Sequence, residues 1–285
     1  RRETGGMRSR AQSFVQRRAF ARADAVVANA EAVRRELLEE GVRAEKIVTI
    51  YNGLDLSRLT PPENFKREEA LAALHLEEAQ GRRLVTIVAN MRHPVKDQRT
   101  FLRAAEQVKS RVPDAAFVLA GEGELLEPLR AYAAELGLAG DAFFIGRCER
   151  VAELLALSEV CVLSSTHEGF SNSILEYMAA ERPVVATDVG GAREALRDGL
   201  SGYIVAPGDD ELMAARIVRL LDDPELAREM GCAGWRVVEE KFSERAQLSR
   251  TEDLYERLLA AGRVRGFASG REESDGRRAA AGERV

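Results

Sequence analysis

Short unbroken apolar runs alternate with longer stretches in which apolar residues return every three or four positions, along nearly the whole chain. The runs Ala25–Ala28, Lys46–Tyr51, Leu84–Ala89, Ala115–Ala120, Ala142–Ile145, Val160–Ser165, Val184–Thr187 and Gly202–Val205 read as strands. Most are apolar at consecutive positions, as strands covered on both faces must be. Between them the spacing predicts helices over Ala30–Glu40, Thr100–Val112, Leu125–Leu136, Val151–Leu157, Ala192–Asp198 and Glu211–Leu221, and one carrying Ile174, Leu175, Met178 and Ala179 that Pro183 stops. Asp222-Asp-Pro224 opens a further helix, and helices around Gly234–Lys241 and Ser243–Leu259 follow. Asn29 is placed to cap the helix from Ala30, and Gly41 ends it. Asn52-Gly53 forms a turn, and two prolines make Leu59–Glu63 an extended linker. Alternating strand and helix implies an α/β fold with a parallel sheet and helices on both faces. From residue 263 onward Arg, Gly, Ser, Glu and Ala dominate, so residues 263–285 are expected to be a disordered tail.

Glu168-Gly-Phe-Ser-Asn-Ser-Ile-Leu-Glu176 lies where the strand ending at Ser165 turns into a helix. Open α/β sheets bind ligands at that end of their strands. Free N–H groups and the positive dipole end at Ser171–Ser173 favour a phosphate. Glu168 stands before the helix and can accept hydrogen bonds from hydroxyls, and Glu176 can reach a second polyol about one turn further in. A ligand with hydroxyls at both ends and phosphates between them, a nucleoside-diphosphate sugar, fits that layout. Two glutamates alone would read as a solvated helix face, since 31% of the residues are charged. The strand, the Gly-Phe turn and the small polar pair between them are what single the segment out.

Arg92 and Lys96 follow the strand Leu84–Ala89. One is a bidentate donor and the other a point charge, a pair suited to a diphosphate, with a surface salt bridge as the alternative. The Gly121-Glu-Gly123 bend lacks a full dinucleotide fingerprint and is expected to serve steric fit, as is the Gly190-Gly191 turn. His75 is expected at the surface, His93 beside the phosphate loop, and His167 as a residue that orients the loop before Glu168. No Asp-x-Asp occurs, so no metal is expected, and the leaving diphosphate would be met by Arg92, Lys96 and helix N–H groups.

A net charge of −5 and a pI near 5.6 argue against generic nucleic-acid binding. Cys148, Cys161 and Cys232 are scattered without zinc spacing, and no apolar run approaches the ~20 residues of a membrane span. A cytosolic location is expected. Residues 1–24 carry seven arginines against Glu3 and Asp24. They read as a domain helix with a charged outer face, the alternative being a basic amphipathic helix in peripheral contact with the membrane.

The nine-residue segment resembles the Glu, seven residues, Glu signature of the retaining GT-B glycosyltransferases of family four. Glu-Tyr-Met-Ala-Ala-Glu-Arg-Pro-Val-Val-Ala-Thr-Asp-Val-Gly-Gly at 176–191 is similar to that family's helix, strand and glycine turn. The resemblance spans about residues 15–260. It implies two facing Rossmann-like domains with the ligand between them. Residues 1–60 would be the tail end of the N-terminal acceptor domain, 61–242 the complete C-terminal donor-binding domain and 243–262 a crossing helix, with most of the N-terminal domain absent. It also implies roles: Glu168 with the Gly169 and Phe170 amides on sugar hydroxyls, Asn172 and Ser173 on phosphate, Glu176 on ribose, Arg92 and Lys96 on the diphosphate, and Arg147 with Cys148 near the base. The Arg92-to-Lys96 spacing is one residue shorter than the family's commonest pattern.

The implied reaction moves a hexosyl group from a nucleoside-diphosphate sugar to an acceptor hydroxyl with retention, needing no cofactor. The acceptor would be a glycan, a lipid-linked molecule or a small molecule. The alternatives are a catalytically silent nucleotide-sugar-binding module and a GT-B nucleotide-sugar epimerase.

Overall fold

The computed structural model describes the backbone of residues 10–279 and the side chains of residues 15–261. The chain opens with α1 (Arg10–Arg22), β1 (Val26–Ala28), α2 (Glu31–Glu39) and β2 (Ile47–Thr49), with β1 and β2 paired in parallel. A second series follows: α3 (Arg67–Ala73), β3 (Arg83–Val88), α4 (Gln98–Arg111), β4 (Ala115–Ala120), α5 (Leu126–Glu135), β5 (Ala142–Gly146) and α6 (Val151–Leu157). It continues through β6 (Ser158–Leu163), α7 (Asn172–Ala179), β7 (Val184–Thr187), α8 (Ala192–Ala195), β8 (Tyr203–Val205) and α9 (Asp210–Asp222), and closes with α10 (Pro224–Lys241) and α11 (Glu244–Ala279).

The six later strands form one parallel sheet in the order β5-β4-β3-β6-β7-β8. Strand order reverses between β3 and β6, which makes their carboxyl ends the topological switch point. The sheet also opens there. β3 pairs with β4 as far as Val88, but with β6 only as far as Thr86.

Alternate strand residues face opposite layers. Val85, Ile87, Phe117, Leu119, Val160 and Val162 pack under α4, α5 and α9. Leu84, Ala116 and Val118 pack under α3 and α6. Burying a side chain such as Phe101, which has no exposed surface, is worth about 1.5–3 kcal/mol. Although β1 and β2 hydrogen-bond only to each other among the described strands, their apolar face does not stand apart. Val26, Ala28, Val33, Leu37 and Ile47 share one core with Ile174, Tyr177, Val184 and Phe242. At the start of α11 the Leu54 amide donates to the Phe242 carbonyl at 2.8 Å, and Leu54 bridges Ser243.

Several local expectations change. Asn29 does not cap α2; its Oδ1 is buried without a partner, and the cap comes from Glu194, 163 positions away. α10 is one helix from Pro224, not two, and Gly231 and Gly234 are contact positions within it. A Cβ on Gly231 would lie 2.1 Å from the Glu181 carbonyl oxygen. Leu56–Leu59 forms a 3-10 turn before the proline linker, and α3 ends at Ala73, just short of His75. α11 runs to Ala279, past residue 263 where disorder is expected. The missing apolar period removes a docking face, but Arg, Glu and Ala remain strong helix formers. Residues 280–285 of the expected tail lie outside the described residues.

Candidate functional site

The loop after β6 is laced to the loop after β3 across the switch point. Ser164 Oγ donates to the Lys96 carbonyl at 2.8 Å, and the Thr166 amide donates to the Val95 carbonyl at 2.8 Å. This brings Lys96 Nζ within 2.5 Å of Glu168 Oε1, and Ser165 Oγ donates to the same oxygen at 2.7 Å. The side chains of Lys96 and Glu168 are only 20% and 13% exposed, so each charge depends on its partner. Asp97, next to Lys96, sits at φ 43°, and its carboxylate caps α4 through the Thr100 amide and hydroxyl. That cap holds the strained turn that aims Lys96.

α7 is bolted to the end of β3. Past Thr86, β6 no longer pairs with β3, and the Val88 amide donates instead to the Tyr177 hydroxyl at 2.7 Å. Ser173 Oγ donates to the Val88 carbonyl at 3.0 Å. Burial holds the Tyr177 phenol well above its ordinary range. Ser171 precedes α7 with no side-chain hydrogen bond to the helix, and Asn172 Oδ1 accepts from Asn52 Nδ2 at 2.8 Å. Glu176 lies half-buried on the same helix. Among the described residues nothing hydrogen-bonds its carboxylate, whose pKa burial pushes up and the Arg58 charge pulls back.

The glycine turns act by close approach. Gly190 sits at φ 53°, where a Cβ would lie 2.3 Å from the Glu168 carbonyl oxygen, and the Gly191 amide donates to the Gly169 carbonyl at 2.9 Å. A Cβ on Gly121 would lie 1.9 Å from the Ala89 carbonyl oxygen. The Phe170 ring is buried against Tyr51 and Phe242, with centroids 5.4 and 5.3 Å away, so only its backbone is placed to meet a ligand.

The expected residues thus divide. Gly169 and Glu176 lie in the loop and helix that follow β6, and Lys96, Glu168 and Ser173 gather around the switch point. A cavity of about 390 Å³ there is lined by Val88, Lys96, Gly121, Arg147, Cys148 and Ser173. A second, also about 390 Å³, lies on the Glu168 side and is lined by Arg35, Glu36, Glu39, His167 and Gly190 among others. Arg92 does not join the Lys96–Glu168 pair. Its side chain is 59% exposed and its guanidinium bonds Glu122 at 2.8 Å, the surface salt bridge that was the alternative. Arg147 lines the first cavity, with an exposed side chain 3.8 Å from Glu149. His75 is exposed, as is His93 at the head of the 3-10 turn Pro94–Lys96, and the His167 ring lies 3.4 Å from the Thr166 hydroxyl. Among the described residues no group of three or more His, Cys, Asp or Glu could hold a metal ion, and no helix is long and apolar enough to cross a membrane.

Tyr177, Ser165, Asn52 and Glu194 were not singled out by the sequence. Tyr177 carried the one available signal, a hydroxyl on the face of α7 that the helical period buries.

Two family descriptions match the chain: Glycosyl transferases group 1 over residues 82–223 and Glycosyltransferase Family 4 over residues 2–58. EpsD of Bacillus subtilis, named as a glycosyltransferase, is 38% identical over 160 residues, covering 56% of this chain and 42% of that protein. N-acetyl-alpha-D-glucosaminyl L-malate synthase of Bacillus anthracis is 30% identical over 236 residues, covering 83% of this chain and 60% of the relative. The chain therefore spans 42% and 60% of the length of these two relatives. Among solved structures, HepE of Anabaena in complex with UDP superposes with a TM-score of 0.79 at 23% identity, over 89% of this chain and 69% of that one. A glycosyltransferase from Rickettsia africae gives 0.80 at 21% identity, over 90% and 69%. At such identities the likeness concerns the fold, which is GT-B.

Proposed function

We propose, for a chain that belongs to the group 1 glycosyltransferases of family 4, that the switch-point cleft binds a nucleoside-diphosphate sugar and that the enzyme transfers its hexosyl group to an acceptor hydroxyl with retention. The observation that carries the reading is the partly buried Lys96–Glu168 pair, held at the sheet's carboxyl end beside the start of α7.

In this reading the diphosphate lies between Lys96 and the first N–H groups of α7. The Lys96 ammonium has three donors, so it keeps Glu168 on one and offers the others to phosphate oxygens. Glu168, fixed by Lys96 and Ser165, accepts hydrogen bonds from sugar hydroxyls, aided by the Gly169 and Phe170 amides. Glu176 accepts both hydroxyls of the ribose, and Arg147 and Cys148 flank the base. Asn172 and Ser173 stand at the phosphates. Arg92 serves there only after leaving Glu122.

As the sugar–phosphate C–O bond breaks, charge grows on the diphosphate, where Lys96 and the helix dipole oppose it. The acceptor oxygen forms its bond on the face the diphosphate leaves, and a phosphate oxygen takes the acceptor proton. Solved structures of HepE with UDP and with UDP-glucose support a uridine donor for a cleft of this fold. Glu168 and Glu176 do not act as a glycosidase pair, which needs two carboxylates flanking one bond.

Calorimetric titration with UDP, GDP and ADP in the presence of a chelator tests the site. At least one nucleotide is expected to bind, and loss of all binding on chelation would overturn the metal-free reading. Product analysis with the matching nucleotide sugar then separates transfer from silent binding and from epimerisation, by glycosylated acceptor, no product or an isomerised donor.

A further inference from the structure

We propose that Glu194 is a positioning residue that ties helix α2 to the donor loop, so that a sugar held at Glu168–Phe170 sets the placement of the wall opposite. The inference rests on the donor reading above.

Glu194 stands on the short helix α8, three residues past the Gly190-Gly191 turn, yet its two carboxylate oxygens leave that part of the fold. Oε2 accepts the Glu31 amide at 2.7 Å and Oε1 accepts the Ala32 amide at 2.8 Å. Among the side chains described, it is the one that caps α2, since Ala30 offers none and Asn29 Oδ1 is unpaired. A charged cap on a dipole's positive end is a strong anchor. The Glu194 carboxylate also acts electrostatically on the phenol of Tyr51. Burial first, then that carboxylate, push the phenol above its ordinary range.

Tyr51 completes the connection to the donor loop. Its ring packs on Phe170 at 5.4 Å and on Phe242 at 5.1 Å, and the Arg250 guanidinium of α11 lies 5.6 Å from its centroid. Gly191 is the meeting point. A Cβ there would fall 2.4 Å from Phe170 Cδ2 and 3.2 Å from Ala30 Cβ. The Gly191 amide donates to Gly169 at 2.9 Å, and the Glu168 and Gly169 carbonyls press on Gly190. The loop that would hold the sugar, the turn before α8 and the start of α2 are therefore closely packed, and Glu194 supplies the polar link to α2.

What α2 presents is the reason this bears on function. Ala32, Arg35, Glu36 and Glu39 form one wall of the second cavity, opposite Thr166, His167 and Glu168. This is the open side of Glu168, from which a second substrate would approach. A shift of Glu168–Phe170 on binding sugar would pass through Gly191 and Tyr51 to α2.

Hydrogen exchange followed by mass spectrometry tests this, with UDP and UDP-glucose as probes. In the wild-type protein UDP-glucose, but not UDP, is expected to slow exchange across residues 31–38. Glu194→Gln keeps the shape but places an NH2 against a backbone N–H. Free α2 should then exchange about fivefold faster or more, as loss of such a cap implies. UDP affinity should stay within about twofold, because Glu194 lies outside the nucleotide cavity, and UDP-glucose should no longer slow α2. Tyr51→Phe, which keeps the ring and the cap, should weaken the same response without raising exchange in the free protein. Sugar-dependent protection of α2 at wild-type size in Glu194→Gln would overturn the proposal and leave Glu194 as a plain helix cap. Binding of neither probe by the wild-type protein would instead overturn the uridine donor reading, and the coupling with it.

Discussion

Replacing Glu176 by Gln separates function from stability with one substitution. The carboxylate is half-buried on α7, no described group hydrogen-bonds it, and the one nearby cation that acts on it is Arg58. Burial raises its pKa from an ordinary 4.5. A carboxyl group raised on folding holds its proton more tightly in the folded state. Its contribution to stability is full below about pH 4.5 and is lost as pH climbs through the folded value. Wild type and Glu176→Gln should therefore match in acid, and the variant should become the more stable protein as pH rises toward neutral.

Binding should move the other way. The carboxylate accepts ribose hydroxyls in our account, and a hydrogen bond to a charged group contributes about 1.5–3 kcal/mol. Losing one weakens UDP binding roughly 10- to 150-fold. Urea titrations at several pH values give the first half and calorimetry with UDP gives the second. A variant that binds UDP as well as wild type would refute the ribose assignment. One that is less stable than wild type at neutral pH would refute the unpaired-carboxylate reading.

Tyr177→Phe leaves the Val88 amide without its acceptor at the point where β3 and β6 part. It should cost about 1–3 kcal/mol and lower Tm by several degrees, with an unchanged Tm counting against the bolt. Glu168→Ala should weaken UDP-glucose binding or turnover while sparing UDP, and equal damage to both would mean that the sugar and ribose ends are reversed.

What the sequence made legible was short-range. The position of the Glu168–Glu176 segment could be read because strand, turn and helix follow one another within a few residues, and that of Lys96 because only a short loop separates it from β3. The parallel sheet followed from the alternation. What stayed hidden depends on partners far along the chain. Glu194 caps α2 from 163 positions away, and Asn52 reaches Asn172 across 120. Asn29 had the right local grammar for a cap, but a carboxylate from another helix took the place. Arg92 looked like a phosphate ligand from its distance along the chain, whereas the Gly121-Glu-Gly123 bend carries Glu122 to within 2.8 Å of it. The helix expected around Gly234–Lys241 is the second half of α10, and a sequence does not show that Glu181 and Met178 lie against Gly231 and Gly234.

A crystal structure with UDP-glucose would test the central claim most directly. The account predicts diphosphate density between Lys96 and the first turn of α7, the ribose at Glu176 and the glucose hydroxyls at Glu168. Density that places the nucleotide away from the switch point, or that puts the glucose at Glu176 and the ribose at Glu168, would contradict it.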